Sequence, residues 1–260
     1  MLPVPFDRTG SWIKGSAKGP KAIIEASKNM ELYDIETDSE VYTKGIHTAK
    51  EIASKTSRGM VGKVYKEVKK VLGDNKFPVI LGGEHTVALG AIKAHAETHD
   101  RMSILHLDAH SDMRDSYEGN KLSHASVMAR AKEITEDIVS VGIRSMDSSE
   151  LVNIKRNNIF YASEIRKSGG WIKKATARLT KNVYITIDLD VFDPSIMPST
   201  GTPEPGGLGW YEVMDLLKNV SKKKNIVGFD VVELCPSKNV APDFLAAKLA
   251  YKLLSFRFNQ

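Results

Sequence analysis

Apolar and polar positions along the chain follow two alternating rhythms. Stretches with apolar residues at helical spacing, 20–30, 60–72, 87–98, 126–132, 171–179, 211–220 and 242–254, predict helices, and Pro20 suits the first turn of the first of them. Between them lie short, almost wholly apolar runs at 78–81, 102–107, 138–143, 158–161, 183–187 and 226–232, which predict strands buried on both faces. Alternation of this kind predicts an α/β fold in which a mostly parallel sheet is covered by helices. In open sheets of this type ligands collect beyond the carboxyl ends of the strands.

Two of the runs end in acidic residues at every second position. The run at 102–107 leads into Asp108-Ala109-His110-Ser111-Asp112, and that at 183–187 into Asp188-Leu189-Asp190-Val191-Phe192-Asp193-Pro194. On an extended backbone, residues i, i+2 and i+4 point to one side. Acceptors gathered beside an apolar wall are costly to bury without compensation, and a divalent cation is the commonest compensation for such a set. Each cluster alone reads equally as a strand-end cap or turn; both in one chain point to a metal site. A third run ends in Gly82-Gly83-Glu84-His85, where the glycines permit a tight turn or a close backbone approach. His85 by itself reads as a helix-start or core histidine, but beside two aspartate clusters it joins them as a ligand. Neighbouring parallel strands lie about 4.8 Å apart. His85, Asp108, His110, Asp112, Asp188 and Asp190, from two or three adjacent strand ends, would then fit within reach of two cations, and such a pair makes a hydroxide nucleophile near neutral pH.

Length and composition narrow the classes. The chain has 260 residues, 42% hydrophobic and 27% charged, and no Pro/Gly/Ser-rich linker, low-complexity tract or repeat divides it, which predicts a single domain over 1–260. The opening residues lack the basic-then-apolar layout of a signal peptide, and no apolar run approaches the roughly 18 residues needed to span a bilayer. The single Cys235 has no intrachain disulfide partner and reads as a small core residue. A cytoplasmic protein without a membrane partner is therefore expected. The net charge of +5 comes from lysines dispersed through helical segments such as 64–71 and from the loop at 222–224, the look of solvated surface rather than of a nucleic-acid site.

Gly82-Gly83-Glu84-His85, Asp108-Ala109-His110-Ser111-Asp112 and Thr186-Ile187-Asp188-Leu189-Asp190-Val191-Phe192-Asp193-Pro194 are similar, in order and spacing, to the three signatures of the ureohydrolase family of arginases, agmatinases and formiminoglutamases. Pro198-Ser199-Thr200-Gly201-Thr202-Pro203-Glu204-Pro205-Gly206-Gly207 and Asp230-Val231-Val232-Glu233-Leu234-Cys235-Pro236 extend the resemblance, as does the start from Val4 to Ile23, so that it covers nearly the whole chain. It implies a three-layer α/β/α sandwich, arginase-like, with two Mn2+ per chain. It also implies hydrolysis of a guanidino or formimino group, typically to urea and an amine, and a homo-oligomer, trimer or hexamer. Carried over residue by residue, the six residues above match the metal ligands. His124 resembles the proton-shuttle histidine, and Glu233 the carboxylate that pairs with the substrate guanidinium.

The chemistry needs these residue types. Guanidinium is planar, cationic and resonance-stabilised, so attack on its carbon requires a metal-generated nucleophile, a carboxylate to orient the plane and an acid to protonate the departing amine. Four carboxylates and two imidazoles without a thiolate suit manganese better than a structural zinc site. Taken alone, His124 reads as a surface or capping histidine, Glu233 as a charge ending a strand, and Thr202, a candidate substrate contact, equally as a turn residue.

For the substrate, Pro5-Phe6-Asp7 and Gly19-Pro20-Lys21-Ala22-Ile23 resemble agmatinases more than arginases. Glu118-Gly119-Asn120-Lys121-Leu122-Ser123 lacks the arginase-type run that holds an amino acid's carboxylate. Agmatine, hydrolysed to putrescine and urea in polyamine biosynthesis, is the expected substrate; arginine, guanidinobutyrate and formiminoglutamate are the alternatives on the same site. Asp147 and Glu150 are candidates for the far ammonium and read equally as helix-start acids, while Lys121 departs from both patterns. Two other classes remain: a two-metal phosphoesterase or nuclease, and a non-catalytic metal-dependent binding or assembly protein. The latter is disfavoured because the six ligands, His124 and Glu233 are all present.

Overall fold

The computed structural model describes residues 1–167 and 169–259. Each predicted strand forms, with its ends moved by at most one residue: β2 (Val79–Gly82), β3 (Met102–Leu107), β4 (Ile138–Ile143), β5 (Ile159–Tyr161), β6 (Asn182–Asp188) and β7 (Asn225–Val232). A further strand, β1 (Leu2–Val4), has no sequence signal because it is three residues long and contains Pro3. At the sheet edge the missing N–H of Pro3 breaks no ladder on its outer side. Among the described residues the sheet has seven strands, all parallel, in the order β1-β2-β7-β6-β3-β4-β5.

The helices are α1 (Gly19–Ser27), α2 (Ser57–Gly73), α3 (Ala88–Ala96), α4 (Val127–Lys132), the unpredicted single turn α5 (Ala162–Ile165), α6 (Trp171–Arg178), α7 (Trp210–Lys223) and α8 (Ala241–Phe258). Their boundaries follow local chemistry. Thr56 caps α2 by accepting the Gly59 N–H at 3.1 Å, and Met60, Val64 and Val68, each four apart, form its buried stripe. At the start of α7 the Gly209 N–H donates to Glu212 Oε2 at 2.7 Å, while Lys222 and Lys223 complement the carbonyl end.

Alternation along each strand feeds two cores. Leu105, Leu107, Ile185, Ile187, Phe229 and Val231 pack with Ile23 of α1, Leu216 and Leu217 of α7 and Leu249 and Leu253 of α8. Ile80, Ile104 and Tyr184 face the other way, onto Met60 and Val64 of α2, Ile92 of α3 and Met128 of α4. The architecture is thus a three-layer α/β/α sandwich. His106 and Asp108 follow Ile104 on the same strand face, so the chemistry-bearing positions of β3 point toward the α2–α4 side.

Gly83 shows why the double glycine after β2 is needed. A Cβ there would stand 2.1 Å from the Phe6 carbonyl oxygen, because the segment after β1 crosses directly over it. Gly83→Ala must push that segment away and is expected to lower the unfolding free energy by about 1–3 kcal/mol. A denaturant midpoint equal to that of the parent would contradict the close packing.

Candidate active site

The six predicted metal ligands and Glu233 sit at the carboxyl ends of four neighbouring strands, β2, β7, β6 and β3. His85 follows β2, Glu233 follows β7, Asp188 ends β6 with Asp190 in the turn beyond, and Asp108, His110 and Asp112 follow β3. The sequence expectation of two or three adjacent strand ends is corrected in one respect. β7 lies between β2 and β6, so His85 reaches the aspartates across the end of a strand that brings Glu233 into the same cleft.

His85 Nδ1 stands 3.2 Å from Asp108 Oδ2, 3.2 Å from Asp112 Oδ2 and 3.5 Å from Asp188 Oδ2. Its other ring nitrogen is 2.8 Å from Thr186 Oγ1, which donates to Asp230 Oδ1 at 2.7 Å, and Asp230 also accepts from the Tyr184 hydroxyl. On the other side of Asp108, His110 Nδ1 lies 3.6 Å from Oδ1 and 2.9 Å from Asp190 Oδ2. Asp108 therefore presents one oxygen toward each histidine. Asp190 Oδ1 accepts the Ala109 N–H at 2.9 Å, and Asp188 Oδ1 accepts the Asp190 N–H at 2.9 Å, which ties the two loops together.

Electrostatics show how strongly this cluster lacks positive charge. Burial, then the neighbouring Asp108 carboxylate, pushes Asp112 up to about 6; burial with Asp190 and Asp108 holds Asp188 well above the carboxylate range. Burial opposes a charge on His110, but Asp190 and Asp108 outweigh it and lift the imidazole up to about 12. Glu233 is held well above its usual range by burial and by Glu84, against the His85 N–H that it accepts at 2.6 Å. Asp112 and Glu233 also carry left-handed backbone angles, φ 53° and 67°. For non-glycine residues such conformations cost about 1–2 kcal/mol and concentrate at functional sites.

The sequence model of the arginase family matches residues 1–255. The N(1)-aminopropylagmatine ureohydrolase of Synechocystis sp. is 37% identical over 98% of this chain and 88% of its own length. The agmatinase of Pyrococcus horikoshii is 33% identical over 98% of this chain and 90% of its own. The crystal structure of the agmatine ureohydrolase of Thermoplasma volcanium superposes with a TM-score of 0.91 at 33% identity, covering 99% of this chain and 89% of that one. The chain belongs to the arginase family. It is a hydrolase acting on guanidino or amidino substrates.

Whether the residues fit the family's metal ions is decided by the donor set. His85 Nδ1 is buried without a hydrogen-bond partner and faces three carboxylate oxygens, and Asp108, His110 and Asp190 form a second group whose donor atoms lie within 4.8 Å of one another. An imidazole nitrogen without a hydrogen-bond partner, facing an ionised Asp108 and two carboxyls, Asp112 and Asp188, that are driven toward neutrality, is what a cation would satisfy. The residues fit. His106 belongs to the first group as well, a neighbour that sequence reasoning missed. Its Nε2 is 2.8 Å from Asp108 Oδ2 and its Nδ1 3.1 Å from Ser140 Oγ, so it holds Asp108 from behind. The signal was available: His106 is two residues before Asp108 on an extended strand.

Around the cluster opens a cleft lined by His110, Asp112, His124, Asp188, Asp190, Thr202 and Glu233 and also by Asp147 and Glu150. The last two are engaged locally. Asp147 caps the turn Ser148–Val152 through the Ser149 N–H at 3.0 Å, and Glu150 Oε1 accepts the Asp147 N–H at 2.8 Å, a capping box. Glu150 Oε2 also accepts from the Met113 N–H and the Ser111 hydroxyl, so its oxygens are taken up in pinning the loop after β3. Thr202 lines the cleft beside Gly201. Lys121 is exposed, 3.3 Å from Asp115, and is not among the described residues that line the cleft.

Arg144, just past β4, was not singled out from the sequence. Its guanidinium donates to the backbone carbonyls of Gly142, Asp190, Val191, Phe192, Glu204 and Pro205 at 2.6–3.5 Å, stapling the Asp190 turn to the loop at 204–205. Only a planar fork of five donors serves so many acceptors. Arg144→Met strands these carbonyls and is expected to destabilise the fold by at least about 2 kcal/mol, measured by chemical denaturation. A loss below about 0.5 kcal/mol, the size of an ordinary surface change, would contradict the staple.

Proposed function

We propose that this protein hydrolyses the guanidino group of agmatine, giving urea and putrescine, with two manganese ions held by His85, Asp108, His110, Asp112, Asp188 and Asp190. The observation that carries the substrate reading is the charge of the cleft. Besides Asp112, Asp188 and Asp190, assigned to the metals, four carboxylate side chains line it, Asp7, Asp147, Glu150 and Glu233, against a single guanidinium, Arg114. Arg114 is itself 3.5 Å from Asp147 and 3.7 Å from Glu150. Such a cleft suits a dication and offers no free cation to a substrate carboxylate. The oxygen-rich, thiolate-free ligand set supports manganese.

When bound, the metal pair supplies a water nucleophile acidic enough to act near neutral pH. The chain's own groups do the rest. Glu233 is partly exposed to the cleft and anchored by the His85 N–H; a guanidinium supplies the positive charge that its burial lacks, and their pairing fixes the guanidinium plane. His124 provides the proton for the departing amine; burial, then His110, His85 and Lys14, holds its imidazole down to about 4, so it rests neutral and gains a proton only during turnover. Water adds one oxygen to the guanidine carbon, the bond to the substituted nitrogen breaks, and urea leaves beside the protonated amine.

Steady-state urea release tests the reading. Agmatine is expected to exceed arginine in kcat/KM by about 10²-fold or more, because an unpaired carboxylate in an acidic cleft costs about 3 kcal/mol. Equal efficiency would overturn it. A second reading is N1-aminopropylagmatine, favoured by the names of relatives 36–37% identical and by Asp7 and Asp147 as acids on separate segments of the rim. A higher kcat/KM for that compound than for agmatine would select it. Glu233→Gln is expected to raise KM and lower kcat together, since a charge-assisted hydrogen bond is worth about 1.5–3 kcal/mol. Unchanged KM would remove Glu233 from guanidinium binding.

A further inference from the structure

One hydroxyl holds both the backbone and the ring of the proposed proton carrier. Thr9 Oγ1 lies 3.0 Å from the His124 N–H and 3.3 Å from His124 Nδ1, and it donates to Glu84 Oε1 at 2.7 Å. Glu84 is completely buried. Its Oε2 accepts the Arg8 and Thr9 N–H groups, both at 2.6 Å, and its Oε1 accepts the hydroxyls of Thr9 and Thr86 at 2.7 and 2.9 Å. Four donors occupy the roughly four lone-pair directions of a carboxylate.

This fixes the direction of each bond. A threonine hydroxyl has one hydrogen and two lone pairs. Its hydrogen goes to Glu84, so toward His124 it only accepts. One lone pair takes the His124 N–H, and the other can be served at Nδ1 only if that nitrogen carries the proton.

We propose that Thr9, backed by Glu84, is a positioning residue that locks His124 in the Nδ1–H tautomer, leaving Nε2 as the atom through which His124 takes and gives protons. The inference rests on His124 being the proton carrier of the proposed reaction. The Nδ1–H bond is the same whether the ring is neutral or cationic, so the imidazole need not turn between receiving a proton and delivering it. Tyr117, edge-on at 5.5 Å between ring centroids, bounds the ring. Thr9 also lies in the segment that lines the cleft through Asp7, Gly10 and Ser11, so seating that segment and orienting the histidine are one event.

Ring-15N histidine spectra of the whole chain, metal-free and loaded with diamagnetic zinc, read the tautomer directly, with the His124 signals assigned by their loss in His124→Asn. A protonated Nδ1 and a bare Nε2 are expected in the parent and in Thr9→Ser, and a shift toward Nε2–H in Thr9→Val. Thr9→Val is expected to lower kcat about 10- to 100-fold, the effect typical of orienting partners, with KM and metal content unchanged and Thr9→Ser restoring turnover. Parent His124 carrying its proton on Nε2 overturns the inference, as does parental kcat in Thr9→Val. Should Thr9→Val fail to fold, the parent spectrum still decides. If the parent released urea from no guanidine, the functional reading would fall while the spectrum still tested the tautomer.

Discussion

Asp190→Asn is expected to fold as the parent does, to lose at least one bound divalent ion and to release urea more than about 10²-fold more slowly, since outer partners of metal ligands alone cost 10–100-fold. The substitution isolates charge from shape. Asp190 Oδ1 accepts the Ala109 N–H, a bond that an asparagine oxygen retains, whereas Oδ2, 2.9 Å from His110 Nδ1, becomes an amide that cannot donate an electron pair to a cation. Circular dichroism, elemental analysis and steady-state rates read fold, metal and turnover separately. A folded variant with parental metal content and activity would remove Asp190 from the ligand set.

His124→Asn is expected to lower kcat by about 10²–10⁴-fold, the size of general acid–base assistance, while KM for agmatine and bound metal stay as in the parent. His124 lines the cleft and is tied to Thr9, outside both groups of clustered donor atoms. Its loss should therefore differ in kind from that of Asp190. Metal loss equal to that of Asp190→Asn would mean that His124 is a ligand, and parental kcat would mean that it carries no proton.

The sheet was legible because burial on both faces writes itself as continuous apolar runs, and because the switch to alternating acids at 108 and 188 falls where those runs end. β1 and α5 were not, since three or four residues carry too little periodicity to register. Within the site, Asp108, His110 and Asp112 share a location for a different reason than the spacing implied: all three lie beyond Leu107, the last residue of β3, and Asp112 is left-handed at φ 53°, so the loop gathers them rather than the alternation of an extended strand. What sequence spacing cannot carry is direction across the fold. Nothing at position 144 distinguishes an arginine that staples two loops from one in solvent, and nothing at Thr9 shows that its hydroxyl meets Glu84 and His124, 75 and 115 residues away. Asp147 and Glu150 illustrate the converse. Their helix-start character, visible in the sequence, proved to be a capping box that also lines the cleft.

Urea release from agmatine by chelator-stripped protein during titration with manganese tests metal-dependent hydrolysis of a guanidine most directly. No urea is expected from the stripped chain, with activity rising to a plateau near two ions per chain as the two donor groups fill. Urea release that survives stripping, or its absence with agmatine, N1-aminopropylagmatine, arginine and guanidinobutyrate at full loading, would contradict it.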